Sequence, residues 1–270
     1  MASGSGIRYE RDGAVGVVTL DNAARMNPLT EAMQHALLDV LSKINGDPDV
    51  RSLLITGEGR GFCVGADLSA MVPAEGDTRS LGTRTADTMA VLSNKLVVAL
   101  RESPVPVVTA LNGAAAGAGV GLALAADLVV AARSAYFYFP FMPKLGIVPD
   151  LGSTWFLANL VGRSRALGLT LLGDKLSAEQ ALDWGLVWSV VDDAALADEG
   201  RALARRLAEL PAHGAIEMRR AFEAARCNDL AAQLAYEAER QRELIDHPDF
   251  AEGVAAFMGR RVPSFRNRTG

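Results

Sequence analysis

Cysteine is nearly absent from this chain: 270 residues contain Cys63 and Cys227 and no others. Two thiols cannot frame a disulfide scaffold, so reduced thiols and a cytoplasmic setting are expected. Histidine is as scarce, with His35, His213 and His247 far apart in the sequence. No Cys/His spacing suits a metal, and none of the three is expected to be catalytic. Positive charge is also short. Lys and Arg number 27 against 32 Asp and Glu, a net charge of −5, which excludes a binder of nucleic-acid backbone. The cluster Arg201, Arg205 and Arg206 reads as the solvated side of a helix. An uninterrupted apolar span is lacking too. Residues 105–132 are mostly apolar or small, but Pro106, Asn112 and Asp127 interrupt them and glycines bunch in the middle. A strand, a glycine-rich turn, a buried helix and a second strand account for this stretch better than a membrane span. Residues 1–6 show neither a basic nor an apolar region, so no signal peptide is expected there.

What is present is an ordinary globular composition, half hydrophobic and 22% charged. The N-terminal part alternates strands and helices. Strands are predicted over 15–20, 53–56, 105–110 and 128–132. A helix is predicted from Thr30 as N-cap to about Ile44, and another over 88–101. Residues 69–86 are polar and punctuated by Gly and Pro, and read as a loop. Repeated strand–strand–helix units indicate an α/β core with parallel pairing. From Gly152 the pattern turns helical. Ser177 is expected to cap a helix, and Leu196, Leu203, Leu207 and Leu210 form one face of a helix over 194–210. Further helices are expected over 213–226, 229–246 and 248–259. The division expected is a catalytic core over 1–193 and a helical oligomerisation region over 194–270.

Two glycine-rich segments can carry chemistry. In Gly61-Phe62-Cys63-Val64-Gly65-Ala66-Asp67-Leu68, Gly65 and Ala66 have almost no side chain, so their N–H groups can approach a ligand or simply form a turn. In residues 112–127, a helix starting near Gly117 presents free first-turn N–H groups, and Gly117 and Gly119 flank Ala118. That segment reads either as a second set of oxyanion donors facing the first or as a glycine-rich helix packed tightly on the sheet. It is not a dinucleotide fingerprint, because the third glycine and the distal acid are missing. Asp150, between apolar Ile147, Val148, Leu151 and Trp155, reads either as a base with a raised pKa or as the cap of the next helix.

Residues 61–68 and 112–127 together resemble the paired oxyanion-hole motifs of the crotonase (enoyl-CoA hydratase/isomerase) superfamily. Val17-Val18-Thr19-Leu20 followed by Arg25-Met26-Asn27-Pro28-Leu29 resembles that family's opening strand and coenzyme A contact loop. The likeness runs from about residue 7 to 265. It implies a spiral of strand–strand–helix units with a C-terminal helical trimerisation region, and trimers that pair into hexamers. It further implies that the N–H groups of Ala66 and Ala118 polarise a thioester carbonyl. Arg25, Met26, Gly65, Asp67, Leu68, Gly117 and Leu145 would then line the acyl-CoA path. The departures are informative. Hydratases of the family carry one glutamate at what is here Gly121 and a second around residues 141–143, and this chain has neither. Residues 144–155, with Leu171-Leu172-Gly173, residues 176–181 and Trp184-Gly185, resemble the ring-1,2-epoxyphenylacetyl-CoA isomerase branch, whose aspartate matches Asp150. Dienoyl-CoA isomerases pair that aspartate with a glutamate at what is Met142 here. The resemblance thus implies an acyl-CoA isomerase with one aspartate and neither metal nor redox cofactor. The alternatives are a hydratase using Asp150, Asp67 or Glu75, and a non-catalytic acyl-CoA-binding subunit.

Overall fold

The computed structural model describes residues 6–71 and 78–265; Glu75 lies outside them. In chain order the elements begin with β1 (Ile7–Asp12), β2 (Val15–Leu20), α1 (Glu31–Gly46), β3 (Ser52–Gly57) and β4 (Gly61–Cys63). Next come α2 (Leu81–Thr88), α3 (Asn94–Arg101), β5 (Val107–Leu111), β6 (Ala114–Ala116), α4 (Ala118–Leu124), β7 (Leu128–Ala132) and β8 (Tyr136–Tyr138). The chain continues with α5 (Ser153–Leu160), α6 (Gly162–Leu172), β9 (Leu176–Ser177), α7 (Ala178–Asp183), β10 (Ser189–Val191) and α8 (Leu196–Ala208). It closes with α9 (Gly214–Ala225), α10 (Leu230–Ile245) and α11 (Pro248–Met258).

Two sheets share the strands alternately. One has the order β1-β2-β3-β5-β7-β10 and the other β4-β6-β8-β9. β1 and β2 form an antiparallel hairpin, and β2, β3, β5, β7 and β10 then pair in parallel. In the second sheet β4, β6 and β8 are parallel and β9 closes it antiparallel. Each circuit lays one strand in the first sheet, the next in the second, and returns by helix: β3-β4-α2/α3, β5-β6-α4, β7-β8-α5/α6. This is the expected strand–strand–helix spiral. Every residue of β2 and β5 is buried, which is why these strands read as continuous apolar runs rather than alternating ones.

Local signals act as expected at several places. Thr30 Oγ1 accepts from the Met33 amide at 3.2 Å, and Ser177 Oγ accepts from the Gln180 amide at 3.2 Å. Where structure and sequence reading differ, the cause is physical. Residues 81–86, expected in a loop, belong to α2, because Ser80 caps it through the Thr83 amide at 3.1 Å. A π-type turn over Met89–Ser93 joins α2 to α3. Arg201 and Arg205 are not merely solvated: they bind Glu10 at 2.7 Å and Asp12 at 3.2 and 2.7 Å, fastening the β1 hairpin. The buried stripe of α8 is Leu196, Gly200, Ala204 and Ala208. Leu203 and Leu207 flank it half-buried, and Leu210 is exposed. Small residues let α8 lie close on β3 and β5. A Cβ at Gly200 would meet Ala110 Cβ at 3.1 Å. α8 thus covers the first sheet, while apolar residues stay exposed on helices before and after it, Leu160, Leu171 and Leu172 among the former and Phe222, Leu230 and Phe257 among the latter. Among the described residues, no helix is long and apolar enough to cross a membrane.

Candidate active site

Two asparagines in the motif loops hold the first wall of the site. Asn27 is fully buried; its Oδ1 accepts from the Asn22 amide at 2.8 Å, and its Nδ2 donates to Glu58 O at 3.0 Å and Gly61 O at 2.8 Å. Asn112 Oδ1 accepts from the Gly57 amide at 3.0 Å, and its Nδ2 donates to Gly59 O at 2.8 Å and Gly61 O at 3.2 Å. Both amides converge on Gly61 O, so the loop after β2, the β3–β4 turn and the end of β5 form one unit. Met26 and Asn27 are left-handed, with φ of 58° and 56°, a conformation Asn tolerates better than most residues. In the sequence neither asparagine differs from an ordinary turn residue; only their meeting on Gly61 O shows the role.

The same loop carries Arg25 onto Asp67. The guanidinium binds the carboxylate through two bonds of 2.9 and 2.8 Å, and Ser69 Oγ adds a third at 2.6 Å. The Arg25 hydrogen bond, then that of Ser69, holds the Asp67 carboxyl down to about 2. A carboxylate so held accepts protons poorly near neutral pH. Asp67 is therefore a clamp between the loops, which weakens it as a water-activating base. Cys63 is fully buried, and burial pushes its thiol up to about 12; it is core, not nucleophile.

Gly65 and α4 bring the two motifs together. Gly65 has φ of 86°, and a Cβ there would lie 2.7 Å from Ala116 O and 2.9 Å from the Ala118 nitrogen. A Cβ at Gly119 would lie 2.1 Å from Cys63 O. The expected close approach is thus present at both glycines, and the rival reading of tight helix packing is true of Gly119 at the same time. Gly65 O accepts from the Leu29 amide at 2.8 Å, which aims the chain at Ala66. The Gly117 amide is taken by Tyr138 O at 3.0 Å. Among the described residues, the amides of Ala66 and Ala118 donate to no protein acceptor. Ala66 is exposed, while Ala118 is 4% exposed at the first turn of α4. Unspent N–H groups in abutting loops are the elements of an oxyanion hole.

The third wall is the turn between β8 and α5. Leu151 and Gly152 are both left-handed, with φ of 46° and 74°. For a leucine that costs on the order of 1–2 kcal/mol, and its side chain is buried at 4% exposure. α4 makes room for the turn through Gly121, where a Cβ would lie 2.3 Å from Leu151 O and 2.6 Å from Leu151 Cβ. Residue 121 is one helical turn beyond Ala118, on the same face, so the turn that carries Asp150 packs through Leu151 on that face of α4. The cap of α5 is Gly152 with no side-chain hydrogen bond. Asp150 is joined to the helix start only through its carbonyl, which accepts from the Ser153 amide at 2.9 Å. Asp150 Oδ1 is buried without a hydrogen-bond partner, and so is Ser153 Oγ. The cap alternative for Asp150 therefore has no counterpart here. Burial raises its carboxyl to about 6.

The remaining expected residues fall around this frame. Leu68, exposed at 57%, and Leu145, at 43%, border it. Met142 lies in a π-type turn over Phe141–Leu145 and is exposed. The described part of the site thus holds one partly desolvated acid, one paired acid and two unspent amides. Such a set can stabilise an enolate and move a proton.

The chain is similar to known proteins over nearly its whole length. Residues 10–268 match the family model for enoyl-CoA hydratase/isomerase. The chain is 44% identical over 255 residues to 1,2-epoxyphenylacetyl-CoA isomerase of Escherichia coli, covering 94% of this chain and 95% of that protein. It is 42% identical over 262 residues to a protein of Rhodobacter capsulatus named probable enoyl-CoA hydratase, covering 97% and 98%. The crystal structure of an enoyl-CoA hydratase from Polaromonas sp. JS666 superimposes with a TM-score of 0.88 at 32% identity, over 96% of this chain and 99% of that one.

Proposed function

The chain belongs to the enoyl-CoA hydratase/isomerase family, and from that premise we propose that it is an acyl-CoA isomerase working through one aspartate. Asp150 takes the C2 proton of a 3-enoyl-CoA. The electron pair spreads onto the thioester oxygen, held by the N–H groups of Ala66 and Ala118. The protonated Asp150 then returns the proton at C4, and the double bond moves from the 3 to the 2 position. The steps move only a proton, so the reaction needs no redox cofactor, and the backbone amides supply the charge stabilisation for which a metal would otherwise be needed. Coenzyme A enters as part of the substrate, along Arg25, Met26, Gly65, Asp67, Leu68, Gly117 and Leu145.

The observation that carries this reading is the buried, unpartnered Oδ1 of Asp150 beside a helix whose hydratase-type position is Gly121. Adding water requires one group to activate it and another to protonate carbon, and Asp67, the other acid considered for the site among the described residues, is bound to Arg25. A second reading uses the same three groups: rearrangement of a ring-1,2-epoxyphenylacetyl-CoA, supported by the relative named for that activity.

Incubation with 3-enoyl-CoA and with 2-enoyl-CoA, followed by product analysis across pH, tests the proposal. Isomerisation is expected, with turnover rising with pH to a plateau above about 6, where Asp150 becomes a carboxylate. The sign follows from the chemistry: the base is the ionised form, and burial delays its appearance to higher pH. A profile flat down to pH ~4, the ordinary aspartate range, or hydration as the main reaction, would overturn it.

The apolar residues outside the core support an oligomer, as the family resemblance implies. Phe222, Leu230, Leu234, Phe257 and Met258 on α9, α10 and α11 are each more than half exposed. A cleft of about 870 Å³ between α5 and α9 is lined by Trp155, Leu160, Trp188, Met218 and Phe222. Surface of this kind on a tail of helices calls for partner subunits. The proposal assigns oligomerisation to α9–α11 and expects light scattering to give a trimer or hexamer of the 28.5 kDa chain. A clean monomer would overturn that assignment.

A further inference from the structure

Two of the three histidines, far apart in sequence, meet in the helical tail. His213 precedes the first residue of α9 without a side-chain capping bond, and His247 caps α11, where its Nδ1 accepts from the Asp249 amide at 3.2 Å. Their rings lie 4.5 Å apart between centroids. Asp249 sits between them, its side chain 6% exposed, with Oδ2 at 3.8 Å from His213 Nδ1 and 3.5 Å from His247 Nδ1. One ligand atom from each of the three residues lies within 4.8 Å of the other two. His35, by contrast, is exposed on α1.

We propose that His213, His247 and Asp249 form a binding site for a divalent transition cation of the zinc class, which cross-links the start of α9 to the α10–α11 turn. The donor set is two imidazoles and a carboxylate, the ligands such ions prefer. Metal–ligand bonds of about 2.0–2.2 Å at tetrahedral angles place ligand atoms about 3.3–3.5 Å apart; the two imidazole–carboxylate spacings of 3.8 and 3.5 Å are near that, the widest spacing in the cluster, up to 4.8 Å, has to close by about an ångström or more, and binding through His247 Nδ1 replaces its bond to the Asp249 amide. The other carboxylate facing His213, Glu217, lies close to Arg220 and Arg240, each at 3.6 Å. The cluster also borders an apolar cavity of about 400 Å³ lined by Leu244, Phe250, Val254, Phe257 and Phe265. Closing the three ligands on an ion would draw the helix ends around that cavity together. Exposed His247 leaves a way in from solvent.

The test uses the full-length protein after chelator treatment and dialysis. Calorimetric titration with Zn2+ at neutral pH is expected to show one ion bound per chain with micromolar affinity or tighter. Co2+ is expected to give the visible absorption of a four- or five-coordinate nitrogen/oxygen site. His213→Gln and His247→Gln keep a polar side chain of similar reach, and each is expected to weaken Zn2+ binding by about 100-fold or more, at or beyond the upper end of losses seen for outer-sphere changes. Acyl-CoA turnover without added metal should be the same in wild type and both variants, since neither residue belongs to the site around Asp150; that readout, with circular dichroism, shows the variants folded. Absence of saturable Zn2+ binding, or binding unchanged in the double variant, would overturn the proposal. Neither result would bear on the isomerase reading.

Discussion

Asp150→Asn is expected to lower isomerisation of 3-enoyl-CoA by about 10² to 10⁴, the usual contribution of a positioned acid/base. Asn keeps the size of the side chain and removes its basic form. Affinity for the coenzyme A thioester should hardly change, because the donors proposed to hold the carbonyl are backbone amides and survive the substitution. Exchange of the substrate's α-protons with deuterated water should disappear in parallel with turnover. Stability should not fall. The wild-type carboxylate is buried with one oxygen unpartnered, and burial pushes its pKa up to about 6, above the ordinary aspartate range. A group with a raised acid pKa binds protons more tightly in the folded state, so its ionisation costs stability as pH rises from the unfolded pKa through the folded one. The neutral amide escapes that cost, and the variant is expected to be at least as stable as wild type above pH 6. A folded Asp150→Asn protein with full turnover would end the single-aspartate mechanism.

Gly121→Glu restores a carboxylate at the position where hydratases of the family carry one, yet it is expected to create no hydratase. The reason is steric. A Cβ at residue 121 would lie 2.3 Å from Leu151 O and 2.6 Å from Leu151 Cβ, distances at which backbone must move. All seven residues of α4 are buried, so the helix has no free side to retreat to. Leu151 already sits at φ of 46°, and its displacement carries Asp150 with it. Overpacking of this kind costs about 1–3 kcal/mol or more. The expected result is a lower melting temperature and a large loss of isomerisation. Hydration of 2-enoyl-CoA in wild type and variant alike should stay on the order of 10³-fold below an enzyme with two glutamates, the size of one lost acid/base contribution. Gly121→Ala separates the causes: it adds the Cβ without the charge and is expected to lose turnover too. A stable Gly121→Glu protein with rapid hydration would show that α4 and the Leu151 turn are not coupled.

That coupling marks the limit of what the residues disclose alone. Apolar runs, Thr30 and Ser177 as caps, and the two glycine-rich motifs are local signals, and each shaped the element it announced, because capping and strand burial depend on near neighbours in the chain. The absence of glutamates at residues 121 and 142 was equally legible. The purpose of Gly121 was not, since the atoms that forbid a side chain there belong to Leu151, thirty residues away. The same holds for Asn27 and Asn112 meeting on Gly61 O, for Arg25 closing on Asp67, and for Arg201 and Arg205 reaching back to β1. It holds for His213 and His247, which looked like isolated surface residues. Asp150 is the clearest case. The sequence by itself determined that an aspartate stands among apolar neighbours before a helix, and left cap and base both open. Only the tertiary structure removed the cap. A left-handed Leu151–Gly152 turn gives the cap position to Gly152 and leaves the Asp150 carboxylate buried without a partner at Oδ1. Burial by segments distant in sequence is what sets a carboxylate's solvation and hence its proton affinity.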